Sequence, residues 1–88
     1  MAKMIVNHTV EDFNKWKSVF DSMHGLRQKF GCTSEHVFRG SNNPNEVVII
    51  TDWSNRDQAH SYGTSPELKD GMHKGGVLTG TPAIYFVD

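Results

Sequence analysis

Val47-Val-Ile-Ile50, inside the predicted strand 46–53, places four apolar side chains in a row. Side chains alternate between the two faces of a strand, so a strand that packs on helices through one face should alternate apolar and polar residues. Here both faces are apolar, and Ala83-Ile-Tyr-Phe-Val87 has a similar pattern. The sequence therefore predicts a sheet that is covered on both of its faces.

The order of the predicted elements follows from these strands and from the helical patterns between them. Apolar residues at spacings of three and four predict a long first helix, and two shorter helical segments follow the third strand. The predicted strands cover 4–9, 33–39, 46–53 and 83–87, and the predicted helices cover about 10–30, 54–62 and 65–75. The order βαββαβ is that of the ferredoxin-like fold, of the α+β class. We expect residues 1–88 to form one domain with a four-stranded antiparallel sheet.

Polar residues indicate where these helices begin, and a glycine indicates where the first one ends. Thr9 with Asp12, and Ser54 with Asp57, each combine a hydroxyl that can cap a helix with a carboxylate that suits its positive end. Gly31 can adopt the left-handed conformation that ends a helix. These signals predict the helix boundaries.

Composition excludes several classes of protein. Nine basic and ten acidic residues give a formal net charge of −1, with no basic stripe that would bind nucleic acid. Cys32 is the only cysteine, so a disulfide framework and a cysteine-based metal centre within one chain are excluded. No run approaches the roughly 20 apolar residues of a membrane span. We expect a soluble, cytoplasmic protein without a membrane or nucleic-acid partner.

The apolar second face of the sheet indicates self-association. The chain has no spare segment that could cover this face, and a second copy of the same sheet is the simplest cover. We therefore predict a homodimer that forms through its sheets.

The first helix carries the strongest candidates for a functional site. On a helical projection Phe13, Trp16, Phe20 and Met23 form the buried stripe, with Arg27 near its middle. His24 falls next to Phe20 at the edge of this stripe. A guanidinium that points at a core must be paired or must line a cavity. We interpret Arg27 as an anion or oxyanion partner, His24 as a proton carrier and Phe20 as a ligand contact. Alternatively, Arg27 reaches a surface carboxylate and His24 bonds a neighbouring loop.

Two further places in the sequence offer polar groups to a cleft. Asn7 and His8 are neighbours on the first strand and must point to opposite faces of the sheet, so one of them faces the helices. We select Asn7 as a candidate ligand contact. Tyr62 could supply a phenol hydroxyl, or it could pack as an aromatic residue of the core. His60 lies on the same helical segment and is expected at the surface.

Several runs resemble proteins of the dimeric α/β-barrel superfamily, in particular its antibiotic-biosynthesis-monooxygenase-like and cyclase-like members. The resemblance implies a dimer with facing sheets and a ligand cleft in each subunit between sheet and helices. It also implies a range of activities, from cofactor-independent oxygenation of aromatic polyketides to haem degradation and isomerisation. The matching runs are Trp16…Phe20…His24…Arg27…Gly31, Val37-Phe-Arg39, Asn43-Pro-Asn-Glu-Val-Val48, Trp53, Ser65-Pro-Glu-Leu68 with Met72, Gly76-Val77 and Pro82-Ala-Ile-Tyr-Phe86.

Haem is the one prosthetic group that the resemblance raises as a candidate. Haem-degrading members carry an iron-binding histidine in the last turn of the second helix region, where this chain has His73, and an asparagine on the first strand, where it has Asn7. The tryptophan of those members falls near Gly63. A histidine at a helix end is also explained by the helix dipole. We expect no cofactor, with haem binding through His73 as an alternative.

Our leading hypothesis is a cleft protein that binds a small apolar or aromatic molecule, as a cofactor-independent monooxygenase or a cyclase or isomerase. The alternative is a dimeric module without enzymatic activity, for binding or for a stress response. An open cavity of at least ~300 Å³ that exposes Arg27 and His24 would favour the ligand site. A filled core with Arg27 paired outward would favour the module.

Overall fold

Four antiparallel strands form one sheet in the computed structural model, which describes residues 2–78 and 82–88. The spatial order is β2-β3-β1-β4, so that the first and third strands are central. This order, with helices after the first and third strands, confirms the predicted α+β ferredoxin-like architecture. The elements are β1 (Ala2–Thr9), α1 (Phe13–Ser22), α2 (His24–Lys29), β2 (Cys32–Arg39), β3 (Glu46–Trp53), α3 (Arg56–Gly63), α4 (Pro66–Lys74) and β4 (Ala83–Val87).

The first helical region is broken at Met23, and the expectation of one helix to residue 30 was wrong. The Ser22 hydroxyl donates to the Val19 carbonyl at 2.6 Å, a side-chain bond that competes with the helical pattern. The Phe20 carbonyl accepts from the Met23 N–H at 3.1 Å and from Arg27 Nη2 at 2.9 Å. These bonds satisfy the Val19 and Phe20 carbonyls near the end of α1, and α2 begins at His24.

Two helices begin at residues other than those predicted. Asp12 caps α1 with its own carboxylate, while Thr9 pairs in the sheet as the last residue of β1. Asn55 caps α3 by accepting a hydrogen bond from the Gln58 N–H at 2.9 Å. The Ser54 hydroxyl donates to the Gly31 carbonyl at 3.4 Å instead. Gly31 has a φ of +105°, which confirms the left-handed helix end.

The two faces of the sheet have different surroundings, and both carry apolar side chains, as predicted. The helix-side face forms the core with Trp16, Ala59 and Tyr62 of the helices. The other face, which we call the open face, leaves Phe38 53%, Tyr85 57% and Val87 40% exposed. On the helix-side face, the buried apolar side chains of β1 and β3 are Ala2, Met4, Val6, Val47, Ile49 and Trp53. The central strands add Ile5, Val48 and Ile50 to the open face.

Candidate functional site

A cavity of about 40 Å³ lies between the helix-side face of the sheet and the helices. Its walls are mostly apolar side chains of β1, β3, α1 and α4, and four polar residues also line it: His8, Arg27, Thr51 and Tyr62. A cavity of this size has room for about three water molecules, whereas ligand pockets measure roughly 300 Å³ or more. The cavity that the described residues enclose is therefore smaller than the ligand hypothesis expected.

His8 is the polar side chain of the cavity that lacks a partner within the described residues. Its side chain is buried, with 3% of the residue exposed, and neither ring nitrogen makes a hydrogen bond. The ring meets Trp16 edge-on, with 5.4 Å between the ring centroids. Burial disfavours the imidazolium and lowers the pKa of His8 to about 4. At neutral pH the cavity thus contains an uncharged imidazole that can both donate and accept a hydrogen bond.

Arg27 reaches the cavity from α2 and is 2% exposed. Its Nε donates to the Glu35 carboxylate, and its Nη2 donates to the Phe20 carbonyl at 2.9 Å. The Phe20 ring covers the guanidinium, with 3.7 Å between Cζ and the ring centroid. The buried cation is therefore paired and stacked within the protein, as a buried charge has to be.

Glu35 connects this buried arginine to the surface. It lies on β2 opposite Thr51, and it also accepts a hydrogen bond from His24 Nδ1 at 2.9 Å. Burial alone would raise the pKa of Glu35, but the hydrogen bonds from Arg27 and His24 outweigh it and the net shift is downward. The His24 side chain is 54% exposed and lies on the outer side of this carboxylate.

Tyr62 and Thr51 complete the polar part of the cavity wall, and both already have partners. The Thr51 hydroxyl accepts from Trp53 Nε1 at 2.8 Å and donates to the Met4 carbonyl at 3.3 Å. Burial raises the pKa of Tyr62, and the nearby Arg27 guanidinium opposes that shift only in part. The phenol therefore stays neutral at physiological pH.

The structure brings together three of the predicted site residues: Arg27, Phe20 and Tyr62 line the cavity. The other three lie elsewhere. His24 is outside the cavity beside Glu35, Asn7 is exposed on the open face, and His73 is exposed in the last turn of α4.

His8 and Glu35 were not among the site residues predicted from the sequence. Alternation along β1 shows that Asn7 and His8 face opposite ways, but it does not say which of them faces the helices. Glu35 shares a face of β2 with Val37, so its carboxylate lies among positions that face the core. A carboxylate at such a position indicates that a buried cation such as Arg27 has a partner. This signal was present in the sequence.

The residues at the cavity do not fit a haem. The described residues contain no group of three or more His, Cys, Asp or Glu side chains placed to hold a metal ion. His73 is exposed rather than directed into the cavity, and a volume of about 40 Å³ is far below that of a ligand pocket.

In the part of the chain that the structure describes, no helix is both long and apolar enough to cross a bilayer.

Solved structures with the same fold come from several organisms. SnoaB, a cofactor-independent oxygenase from Streptomyces nogalater, is 15% identical with a TM-score of 0.78, over 99% of this chain and 90% of that chain. A conserved protein from Methanosarcina mazei Go1 is 16% identical with a TM-score of 0.75, over 98% and 89%. A protein from Mycobacterium tuberculosis is 16% identical with a TM-score of 0.73, over 99% and 92%. At these identities the likeness establishes the fold.

The sequence, and not only the fold, is similar to a known family. None of the curated proteins matches the chain. The family model for antibiotic biosynthesis monooxygenases matches residues 7–74, which include the end of β1, both helical regions and every polar residue of the cavity. The chain therefore belongs to the antibiotic biosynthesis monooxygenase family.

Proposed function

We propose that the chain binds a small apolar or aromatic molecule in the helix-side cavity and oxygenates it with O2 without a prosthetic group. The observation that carries the proposal is His8, a buried imidazole that makes no hydrogen bond to any described residue and lines a mostly apolar cavity. A buried polar group left without a hydrogen bond costs about 1–3 kcal/mol of stability, so its presence suggests a role in binding. Family membership and the likeness to a cofactor-independent oxygenase support the reaction class.

A ligand enters through the groove between α1, α2 and α4. This groove measures about 230 Å³ and shares Val19, Met23 and Gly71 with the cavity wall. The flexible Met23 side chain packs directly over Gly71, where an added Cβ would lie 2.3 Å from its sulfur. When Met23 moves aside, groove and cavity join into a space that approaches the roughly 300 Å³ of a small-ligand pocket.

The reaction needs an electron-rich substrate, because the chain supplies no redox group of its own. With an anthrone, a ring CH2 group and O2 give a ring C=O group and water, so that one oxygen atom enters the product and the other leaves as water. The electrons come from the substrate. The chain's part is to exclude water and to orient the substrate beside His8, Arg27 and Tyr62. The oxyanion role predicted for Arg27 requires a substrate oxygen to compete with the Glu35 carboxylate.

Oxygen uptake with anthrone as the probe tests this proposal. We expect the purified protein, in the presence of a chelator and without added flavin, to consume O2 and form anthraquinone in a 1:1 ratio, faster than buffer does. Val6→Phe fills the cavity with a larger side chain and should abolish the acceleration. A rate equal to that of buffer, or one unchanged in a folded Val6→Phe protein, would contradict oxygenation in the cavity.

A second candidate function is a dimeric binding module without catalysis. The observations that favour it are the cavity of about 40 Å³ and the pairing of Arg27 with Glu35. The same assay separates the two candidates. Binding of anthrone that the Val6→Phe substitution blocks, without O2 uptake, indicates the module. Rearrangement of a bound substrate without O2 uptake would instead indicate a cyclase or isomerase.

The proposal includes a homodimer that forms through the open face. Six apolar side chains of this face support it, since an exposed apolar patch of this kind marks an interaction surface. A twofold axis would pair the same face of both copies and leave each cavity on the outer side of its own sheet. The six side chains are Ile5, Phe38, Val48, Ile50, Tyr85 and Val87.

A further inference from the structure

The polar groups of the cavity differ in whether their hydrogen bonds are already satisfied. Arg27 is bonded to Glu35 and to the Phe20 carbonyl, and Thr51 is bonded to Trp53 and to β1. His8 has no bond from either nitrogen to any described residue. Since none of the described residues bonds this imidazole, a molecule held in the cavity can supply its partner.

The charges around the cavity determine what kind of partner it admits. The Arg27 cation faces the Glu35 carboxylate, so the two charges largely cancel at the cavity wall. Tyr62 is neutral because burial raises its pKa, and His8 is neutral because burial lowers its pKa to about 4. An anionic or cationic ligand would lose its hydration without gaining an unpaired counter-charge. The cavity is thus complementary to a neutral molecule.

We propose that His8 is the residue that selects the ligand, by hydrogen bonding to a hydroxyl group on a neutral, otherwise apolar aromatic molecule such as a phenol. This inference rests on the proposed function, because it assumes that the cavity binds a small molecule. A hydroxyl group can donate to the free nitrogen of the imidazole or accept from its N–H, so either tautomer offers it one hydrogen bond. His8 acts here as a specificity residue, because an imidazole of low basicity is a poor acceptor of a complete proton.

The hydrogen bond is tested with phenol and toluene, which have nearly the same shape and differ in one hydroxyl group. Affinities for the wild-type protein and for His8→Leu are measured by NMR titration. We expect the ratio of the phenol to the toluene association constants to fall about tenfold in His8→Leu, which corresponds to the loss of one hydrogen bond. His60→Leu changes an exposed histidine outside the cavity and should leave the ratio unchanged.

A second measurement does not depend on how well the variant folds. The ring nitrogen chemical shifts of His8 in the wild-type protein should move on addition of phenol and stay nearly constant on addition of toluene. His8→Gln, which retains an acceptor and a donor, should preserve part of the preference for phenol. A role for His8 in packing alone would produce neither result.

The outcomes separate this inference from the proposal on which it rests. If both probes bind and their ratio is the same in His8→Leu, the ligand site stands and the role of His8 is wrong. Unchanged ring shifts with bound phenol would lead to the same conclusion. If neither probe binds to the wild-type protein, the ligand site fails and the inference fails with it.

Discussion

The buried imidazole of His8 makes the stability of the folded chain depend on pH. Its pKa is about 4 in the folded chain and near the ordinary 6.5 in the unfolded chain. As pH falls from about 6.5 to about 4, the unfolded chain therefore takes up a proton that the folded chain does not. The free energy of unfolding then decreases by on the order of 3 kcal/mol. Urea unfolding measures this effect: between pH 7 and pH 4 the free energy of unfolding should fall further for the wild-type protein than for His8→Leu. Equal decreases for the two proteins would contradict the burial of a neutral His8.

The pair formed by Arg27 and Glu35 should dominate the stability of α2 against the sheet. Glu35→Gln keeps the size of the side chain but removes the charge that compensates the buried guanidinium, so we expect a loss of about 3 kcal/mol in chemical unfolding. Asp70→Asn is the matched control, because it breaks an exposed pair with Lys74 of 3.0 Å and should cost less than about 1 kcal/mol. Similar losses for the two variants would show that Arg27 does not depend on Glu35.

The helix α2 is short and begins without a side-chain cap. Gly25 lies inside its six residues, and a Cβ added there meets no atom within 4 Å. Gly25→Ala should therefore raise the free energy of unfolding by about 0.5–1 kcal/mol, as for other helical glycines. Gly71→Ala in α4 is the comparison, because its new Cβ displaces Met23 and offsets that gain. Thermal unfolding measures both variants, and a lower melting temperature for Gly25→Ala would argue against the position of α2.

For the molecule as a whole, the open face should determine the mass in solution. We expect the wild-type protein to sediment with twice the chain mass of 9.9 kDa and Ile50→Asp to sediment as a single chain, because the substitution would bury a charge between the sheets. Asn14→Asp adds the same charge at an exposed position of α1 and should leave the dimer intact. A wild-type protein that sediments as one chain would contradict the sheet-to-sheet dimer.

Elements were predicted correctly where the residues that determine them lie close together in the sequence. The third and fourth strands lie at the predicted positions, 46–53 and 83–87, because runs of β-branched and aromatic residues between turn formers are local signals. The break at Met23 was missed because it depends on the Phe20 carbonyl, which accepts from the guanidinium of Arg27 instead of continuing the helix. Two helix starts were misplaced because Thr9 belongs to β1 and Ser54 bonds to the Gly31 carbonyl. The caps are Asp12 and Asn55 instead.

By itself the sequence determined the fold class, the presence of apolar side chains on both sheet faces and the place of Arg27 near the middle of the apolar helix stripe. Each of these follows from periodicity, which depends only on the spacing of residues along the chain. Only the tertiary structure decided that His8 and not Asn7 faces the helices, that Glu35 neutralises Arg27 and that the cavity is small. Alternation gives relative orientation but not which face is covered, and the partners of a buried charge come from elements that only folding brings together.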